Sequence, residues 1–449
     1  MNPSRVSANP SRGSLKLWGK ADLPAELNLR VNTISLILSN ALTGALGLIF
    51  WAAAARMFPA EDVGVAAAVI TSAVMLSTLS FLSIDSIYER FLPVAGTHAG
   101  ALLKRGFLMV AAVAMLAGTA LVAFGPRDLL FKSGWAIAGY PVLVMVLAVF
   151  SLQDKALAGL GVARWAAAKN SFHAVAKLIV LLVLAGTDVA ASIVLAWGAT
   201  AAMIALCILI ALHRRSRSNA RFRVTPNLPP WSELWSYFGS SFGIMAVWSV
   251  GPLVVPLIVV TQVGAKANAH FAIAWAIISA LYLTVHLVVS PYVAEVAAQP
   301  DKVASLTWRM VRMLIAVACV GCAGLVLVGP VLLSVAGADY REHGQGLLNL
   351  AAVFVPLSVV SAAYEGFARV QRRLRLRLAV TCMSTLVIVC GSLIGTRMLG
   401  VTGVGWAYLA AESVSAAVLL APVISWLRRR MYEGVPERVS ADISLGKAC

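Results

Sequence analysis

Two ionisable side chains, Glu412 and Lys177, lie inside apolar runs long enough to cross a membrane, and they are the strongest candidates for chemistry in this 449-residue chain. Glu412 comes about eleven residues into the run 401–426, on one helix face with Tyr408 and Ser415. A carboxylate near the centre of a bilayer is costly to ionise without a partner. We interpret Glu412 as a proton- or cation-coupling group, and the alternative is a neutral glutamic acid that hydrogen-bonds between packed helices.

Lys177 follows Asn170 and His173 on one face of the run 168–186. Counted from the start of that run, it lies about 10 to 15 Å deep at 1.5 Å per residue. A lysine at this depth can extend its long side chain toward the cytoplasmic interface. Otherwise its ammonium group is available to an anionic substrate, and the sequence allows both interpretations.

Four further runs carry polar residues at helical spacing, so that each presents one wettable face. Such faces either line a water-filled cavity or hydrogen-bond between packed helices. The four runs are the first, second, seventh and eighth, which hold corresponding positions in the two halves of the chain and therefore favour a shared cavity. The polar residues are Asn32, Ser39 and Thr43 on the first run, Thr71, Thr78, Asp85 and Glu89 on the second, Trp248 on the seventh, and Trp275, Tyr282 and His286 on the eighth.

The composition requires many membrane-spanning runs. Mean hydropathy is +0.86, 60% of the residues are apolar and 12% are charged, which is far outside the range of soluble domains. An apolar helix of about 20 residues crosses a bilayer. We therefore predict an all-α polytopic membrane protein with twelve transmembrane helices, at 31–55, 62–84, 106–125, 134–153, 168–186, 190–211, 236–260, 268–290, 305–329, 345–366, 376–396 and 401–426.

Positive charge sets the predicted orientation of these helices. With the amino terminus inside, most of the 36 Lys and Arg residues fall in segments or helix ends on that side, and Lys177 is the cation that we place deep within a span. By the positive-inside rule both chain termini are cytoplasmic. The net charge of +17 then faces the cytoplasm in short clusters at helix ends, which suits contact with anionic membrane lipids. A nucleic acid would need a basic stripe on a soluble domain, so we expect no nucleic-acid partner.

The chain also repeats itself. Asp154 and Glu365, 211 residues apart, each close an even-numbered span ahead of a basic turn. The segment from Asp188 similarly aligns with the segment from Gly403 at an offset of 215. The chain thus consists of two repeats of six spans each. Because six is an even number, both repeats start on the same side of the membrane, and a substrate path is expected between them. We predict two pseudo-symmetric six-helix lobes, 31–213 and 236–427, with a cytoplasmic linker 214–235, a basic cytoplasmic tail 1–30 and a second cytoplasmic tail 428–449.

Enzyme motifs in the chain lack the context that they need. The predicted external connections are too short to hold a catalytic site. Residues 239–243 spell GxSxG, but that motif requires a preceding strand and here a transmembrane helix begins. Residues 13–20 resemble a phosphate loop with the wrong spacing, and Cys319 and Cys322 form a CxxC on an apolar helix without other metal ligands. We expect no enzyme activity, no cofactor and no metal site, so transport would be passive, coupled to an ion or to the membrane potential, or driven by processing of the substrate.

Four segments together resemble the polysaccharide-flippase branch of the multidrug/oligosaccharidyl-lipid/polysaccharide exporter superfamily. They are AARMFPAEDVGVAAAV (54–69), RFLP (90–93), DKALAGLGVARWAAAKN (154–170) and NAHFAIAWAI (268–277), and the similarity covers most of 30–427. The resemblance implies a V-shaped pair of six-helix lobes in the inner (cytoplasmic) membrane, with a lumen lined by spans 1, 2, 7 and 8. It also implies alternating-access movement of polyprenyl-diphosphate-linked oligosaccharides, precursors of surface polysaccharides such as lipopolysaccharide, to the outer leaflet. A polysaccharide polymerase or glycosyltransferase is then an implied partner.

This resemblance gives three cations a role. A diphosphate that enters a lumen of low dielectric needs positive charge at its mouth, and the candidates at the cytoplasmic ends of lumen-facing or neighbouring helices are Arg30, Arg90 and Lys177. The signature that lipid II flippases carry after span 2 is absent, so lipid II is not the expected cargo. A cation-coupled multidrug antiporter of the same superfamily and a non-transporting membrane scaffold are the alternatives. The antiporter would favour carboxylates deep in the first lobe, where the sequence has none.

Overall fold

The computed structural model describes residues 25–92, 95–131, 133–186, 190–218, 247, 254–289, 292–293, 296, 302–371 and 375–433. Within these residues the fold is all α, without a strand. Apolar runs form helices because a backbone in lipid must satisfy its hydrogen bonds internally. In chain order the helices are α1 (Ala25–Met57), α2 (Ala60–Leu79), α3 (Ile84–Phe91), α4 (Ala99–Phe124), α5 (Arg127–Leu130), α6 (Gly134–Gly159), α7 (Ala163–Val183), α8 (Ala190–Ser218), α9 (Ala265–Leu287), α10 (Val303–Leu327), α11 (Gly329–Ala336), α12 (Ala338–Gln371), α13 (Arg375–Leu399) and α14 (Val401–Glu433).

Ten helices among the described residues are long and apolar enough to cross a membrane. They confirm the second to sixth predicted spans as α2, α4, α6, α7 and α8, and the eighth to twelfth as α9, α10, α12, α13 and α14. The first predicted span lies within α1. The seventh, 236–260, and most of the linker 214–235 lie outside the described residues, so the predicted boundary between the lobes stays a prediction.

The second span ends earlier than its hydropathy suggests, and this changes its polar face. Helix α2 stops at Leu79, and Leu82 and Ser83 adopt left-handed backbone angles, with φ of 45° and 68°, before α3 begins. Left-handed residues cannot continue a right-handed helix. Asp85 and Glu89 therefore belong to α3, and the continuous polar stripe that the spacing predicted along the second span is interrupted.

Helix α3 is anchored on α4 by Tyr88. Its hydroxyl donates to the Leu103 carbonyl oxygen at 2.7 Å, and burial raises the pKa of Tyr88, so that the group stays a donor. Gly106 of α4 makes room for the ring, because an added Cβ would lie 2.3 Å from the Tyr88 hydroxyl oxygen. This anchor fixes the backbone position of α3, which carries Arg90 and Phe91 at the start of the RFLP segment.

The described helices pack into two groups along the chain. In the first group α6 packs against α4 and α8, and α7 packs against α1 and α8; in the second, α12 lies among α9, α10 and α14, and α14 packs along α13. Buried apolar side chains of α2, α4 and α6 form a core inside the first group. A second core joins α1, α2, α7 and α8 to α9, α12 and α14. The two groups therefore share a packed apolar surface.

The two groups are in closest contact at the helix ends that the sequence predicts to be external. Gly64 of α2 packs so tightly on α9 that an added Cβ would lie 1.7 Å from the Ala265 carbonyl oxygen. The Asn268 amide donates to the Gly64 carbonyl oxygen at 2.8 Å. The Arg56 Nε of α1 donates to the Val335 carbonyl oxygen at 2.5 Å. These backbone contacts hold the two groups together at that end.

Replacing Gly64 by Ala should disrupt this contact, because the obstructing atom belongs to the backbone of α9 and cannot rotate away. Overpacking of this kind costs about 1–3 kcal/mol, which thermal unfolding of the purified protein in detergent would show as a lower midpoint. Gly139→Ala in α6 is the control, since a Cβ there meets nothing within 4 Å and alanine favours a helix. Equal midpoints for the two variants would contradict the tight crossing of α2 and α9.

Candidate functional site

A small cavity that is open on one side and lined mainly by polar residues lies among α9, α12, α13 and α14. Three residues that the sequence singled out meet there: Tyr282 and His286 of α9, and Glu412 of α14. Tyr282 and His286 are one helical turn apart and share a face, as their spacing predicted. The other lining residues are Ser361, Arg377, Val380, Thr381, Ser384, Thr385, Ile388, Tyr408 and Ser415.

Glu412 is only 5% exposed, and its described hydrogen-bond partner is Tyr282, whose hydroxyl donates to Oε1. In the described part of the chain Glu412 Oε2 has no partner, and neither do the buried hydroxyl groups of Tyr408 and Ser415. Buried polar atoms in proteins nearly always have partners. Three unsatisfied polar groups at the wall of one cavity therefore form a place where a proton, a water or a small cation would be stabilised.

Glu365, beside this cavity, is surrounded by basic groups. Its Oε2 lies 3.3 Å from Arg377 Nη2 and 3.4 Å from His286 Nδ1, and its Oε1 pairs with Arg369 one turn along α12. The side chains of Glu365 and Arg377 are 15% and 16% exposed. The carboxylate is thus fully compensated, and the cluster ties α12 to α9 and α13. Sequence reasoning placed His286 on a polar face but missed Arg377, for which the basic segment after Glu365 was the available signal.

Lys177 of α7 is 5% exposed, and its Nζ lies 3.4 Å from the centre of a Trp197 ring and 5.1 Å from the Phe50 ring. Among the described residues it has no carboxylate partner. Because α7 begins at Ala163 and not near 168, Lys177 lies about 21 Å along the helix at 1.5 Å per residue, farther from the predicted cytoplasmic end than the sequence suggested. In this conformation the side chain is enclosed by aromatic rings and does not reach that interface.

Lys169, on the same helix as Lys177, has the carboxylate partner that Lys177 lacks among the described residues. Lys169 Nζ is 2.8 Å from Asp154 Oδ1 of α6 and donates to the Phe150 carbonyl oxygen at 2.5 Å. Asn170 also donates to Asp154, at 3.0 Å. Asp154 and Glu365, the two acidic residues 211 positions apart, therefore both pair with a cation of the following span. Lys169 is neutralised within the protein, whereas Lys177, two turns farther along α7, is not.

The internal repeat relates the two unusual groups to each other. The offset of 215 aligns Trp197, which covers the Lys177 ammonium group, with Glu412. The offset of 211 aligns Lys177 with Ile388, which lines the cavity of Glu412. In this alignment, the ring that covers the ammonium group corresponds to the carboxyl group, and the lysine corresponds to an aliphatic residue that lines the same cavity.

The remaining candidate residues either hydrogen-bond to helix backbones, support the cavity wall or lie outside the described part of the chain. Ser39 donates to the Ala167 carbonyl oxygen of α7 at 2.9 Å and so joins two packed helices, whereas Thr43 donates to the Ser39 carbonyl oxygen of its own helix at 2.8 Å. Trp275 packs 4.6 Å from the Tyr408 ring and so supports the cavity wall. The side chains of Arg30, Asn32 and Arg90, and the whole of Trp248, lie outside the described residues.

Neither a protein-family model nor a curated protein sequence matches the chain. Solved structures match its fold. A multidrug-resistance MATE transporter of the MOP superfamily in an inward-facing conformation is 14% identical with a TM-score of 0.59, over 92% of this chain and 100% of that one. The lipid II flippase MurJ in an inward closed conformation is 11% identical with a TM-score of 0.64, over 88% and 87% of the two chains. A variant of the Vibrio cholerae MATE transporter VcmN is 10% identical with a TM-score of 0.52, over 90% and 97%.

These similarities show a fold shared with MOP-superfamily transporters, a two-lobe, multi-pass membrane architecture. The predicted fold class is confirmed, and the predicted superfamily is supported at the level of the fold. The structures include both multidrug transporters and a lipid flippase, so they do not select the polysaccharide branch. All three are transporters or flippases, in keeping with the expectation of no enzyme activity.

The Glu365 ion-pair cluster should stabilise the packing of α12 against α9 and α13. Arg377→Met leaves a buried carboxylate with one fewer cation, and breaking a buried ion pair costs about 3 kcal/mol. Removing both charges in Glu365→Gln/Arg377→Met should recover part of that loss, as measured by denaturant or thermal unfolding in detergent. Arg369→Met is the control, because the Arg369 side chain is 45% exposed and such pairs contribute little. If Arg377→Met and Arg369→Met lowered the stability equally little, the cluster would not stabilise the packing of these helices.

Proposed function

We propose that this protein moves a polyprenyl-diphosphate-linked oligosaccharide from the inner to the outer leaflet of the cytoplasmic membrane by alternating access. The observation that supports this proposal is Lys177, a buried cation that ring faces hold in place of a carboxylate. Ionisable residues at membrane depth are costly, and they usually serve a substrate or an ion. A diphosphate is the kind of anion that such a lysine would bind.

The contacts of Lys177 allow it to be released to a substrate. A cation–π contact contributes about 0.5–2 kcal/mol, whereas a charge-assisted hydrogen bond to a phosphate oxygen is stronger and more directional. A diphosphate that enters from the cytoplasmic side, while Gly64 and Arg56 hold the lobes together at the predicted external end, can therefore draw the ammonium group away from Trp197. Arg30 and Arg90 are proposed to hold the headgroup earlier, at the cytoplasmic mouth.

The rest of the substrate needs different surroundings. The sugars need hydroxyl and amide partners, and the polar cavity of α9, α12, α13 and α14 offers a serine- and threonine-rich wall. The polyprenyl tail can stay in the surrounding lipid. In this proposal both termini are cytoplasmic, and the basic clusters at the helix ends contact anionic lipids. A glycosyltransferase or polymerase acts on the same glycan.

Glu412 supplies the proposed coupling. A buried carboxyl group with an unsatisfied oxygen can bias two lobe arrangements if they solvate it differently. The same group favours the second candidate function, a cation-coupled multidrug antiporter, because an acidic, aromatic-walled cavity also suits an organic cation. The two functions differ in cargo: the first requires an anion site at Lys177, and the second requires only the cavity of Glu412.

Lys177→Met should abolish most transport while leaving the fold intact, because methionine keeps the apolar stem and loses the charge. Loss of a hydrogen bond to a charged group, about 1.5–3 kcal/mol, corresponds to a rate roughly 10- to 100-fold lower. The assay is flipping of a fluorescent polyprenyl-diphosphate oligosaccharide in proteoliposomes, read by its accessibility to an external glycosidase. Lys302→Met is the matched control, since Lys302 is exposed.

Two outcomes of this assay would count against the flippase. Wild-type flipping by Lys177→Met would remove the role of the cation. If the wild-type protein failed to flip the lipid but exported an organic cation down an opposing ion gradient, the antiporter would replace the flippase.

Glu412→Gln should fold normally and lose the response of transport to an imposed pH gradient, because glutamine keeps the hydrogen bond to Tyr282 but cannot titrate. The same proteoliposomes, prepared with and without a pH difference across the membrane, measure this response. Glu342→Gln, at an exposed position outside the cavity, should keep it. A mutant that retains the wild-type gradient response would assign Glu412 to helix packing.

A further inference from the structure

Three side chains with metal-ligating atoms converge where α9 and α12 begin. They are His270 of α9, and Asp339 and His343 of α12, and one ligand atom from each lies within 4.8 Å of the others. Asp339 and His343 are four residues apart and share a helix face. His270 reaches them from the neighbouring helix, so the cluster forms only when α9 packs on α12.

The carboxylate lies between the two imidazoles. Asp339 Oδ2 is 3.2 Å from His270 Nε2, and Asp339 Oδ1 is 3.2 Å from His343 Nδ1. The two rings are stacked, with centroids 4.7 Å apart and planes 17° apart. Ligand atoms about 2.0–2.2 Å from a zinc ion lie a little over 3 Å from one another. The His343 ring, whose Nδ1 also lies 3.0 Å from the Asp339 main-chain oxygen, must rotate out of the stack before all three atoms can reach one ion.

The surroundings hold one ligand rigidly and leave the others accessible. The His270 side chain is 4% exposed, and the Tyr340 ring packs edge-on against it with centroids 5.0 Å apart. The side chains of Asp339 and His343 are 42% and 51% exposed. An ion could enter from the water side and keep one or more water ligands, as three-ligand sites do.

We propose that His270, Asp339 and His343 bind a divalent transition metal of the zinc type and so fasten α9 to α12. Two imidazoles with one carboxylate suit zinc, cobalt or nickel, whereas calcium and magnesium prefer oxygen ligands throughout. The site is separate from the proposed transport function. It lies two residues beyond Asn268, which bonds to Gly64, so the ion braces the part of α9 that contacts the other group of helices.

Lys266 is the competitor for this site. Its ammonium nitrogen lies 3.0 Å from Asp339 Oδ2, and an incoming cation must displace it. A cluster that served only as an ion pair would be weakened by the loss of Lys266, whereas a metal site would be strengthened. This opposite sign separates a metal site from a hydrogen-bonded surface cluster.

The test is titration of the full-length protein in detergent with zinc chloride, measured by calorimetry at neutral pH on protein purified with a histidine-free tag. We expect one site, at least about tenfold weaker binding in His343→Ala and in Asp339→Asn, and tighter binding in Lys266→Met. Both exposed ligand variants should fold, because they leave His270 and its packing in place. His98→Ala, at an exposed histidine elsewhere, should bind as the wild type does.

A second readout is stabilisation, since an ion that binds only the folded state raises the unfolding midpoint. Zinc should raise the midpoint of the wild type and of Lys266→Met, and it should leave that of His343→Ala unchanged. Binding that persists in His343→Ala and Asp339→Asn would overturn the proposal. Zinc binding that is lost only in Cys322→Ser would assign the ion to the cysteine pair, and it would overturn the proposal as well.

Discussion

A charge inside a bundle of apolar helices must be compensated there, because neither lipid nor buried protein solvates it. The chain meets this constraint in two ways. Lys169 and Glu365 each have partners of opposite charge, and these pairs join helices that follow one another in the chain. Lys177 and Glu412 have no such partner among the described residues; Trp197 and Phe50 hold the first and Tyr282 the second. The compensated groups explain how the helices stay together, and the uncompensated groups are where a substrate or an ion would add stability.

The contact between the two groups of helices depends on the absence of a side chain. At Gly64 the backbones of α2 and α9 approach too closely for any other residue, which lets Asn268 bond directly to the Gly64 carbonyl oxygen. Contacts of this kind have only two arrangements, closed or apart, and such bistable contacts are what alternating access requires. The structure shows Lys177 enclosed by rings while this contact at the predicted external end is closed. A cation that rings shield in one arrangement and an anion reaches in the other could link substrate binding to lobe movement.

Hydropathy predicted the transmembrane helices well because each is set by its own composition, and ten of the predicted spans are described helices. It failed at the end of α2, where Leu82 and Ser83 turn left-handed within an apolar run. Pairings across helices were beyond sequence reasoning, since Arg377 meets Glu365 only through packing. For the same reason His270 was not associated with Asp339, 69 positions away. Helical spacing did predict that Tyr282 and His286 share a face. Glu412 lines the same cavity, although no spacing or motif joined it to them.

The central claim is that Lys177 leaves its aromatic enclosure to bind a diphosphate. A structure of the protein determined with a polyprenyl-diphosphate oligosaccharide bound would test this most directly. The account predicts a phosphate oxygen about 3 Å from Lys177 Nζ, with the ammonium group moved away from the Trp197 ring. A diphosphate bound elsewhere, with Lys177 still lying over Trp197, would contradict it.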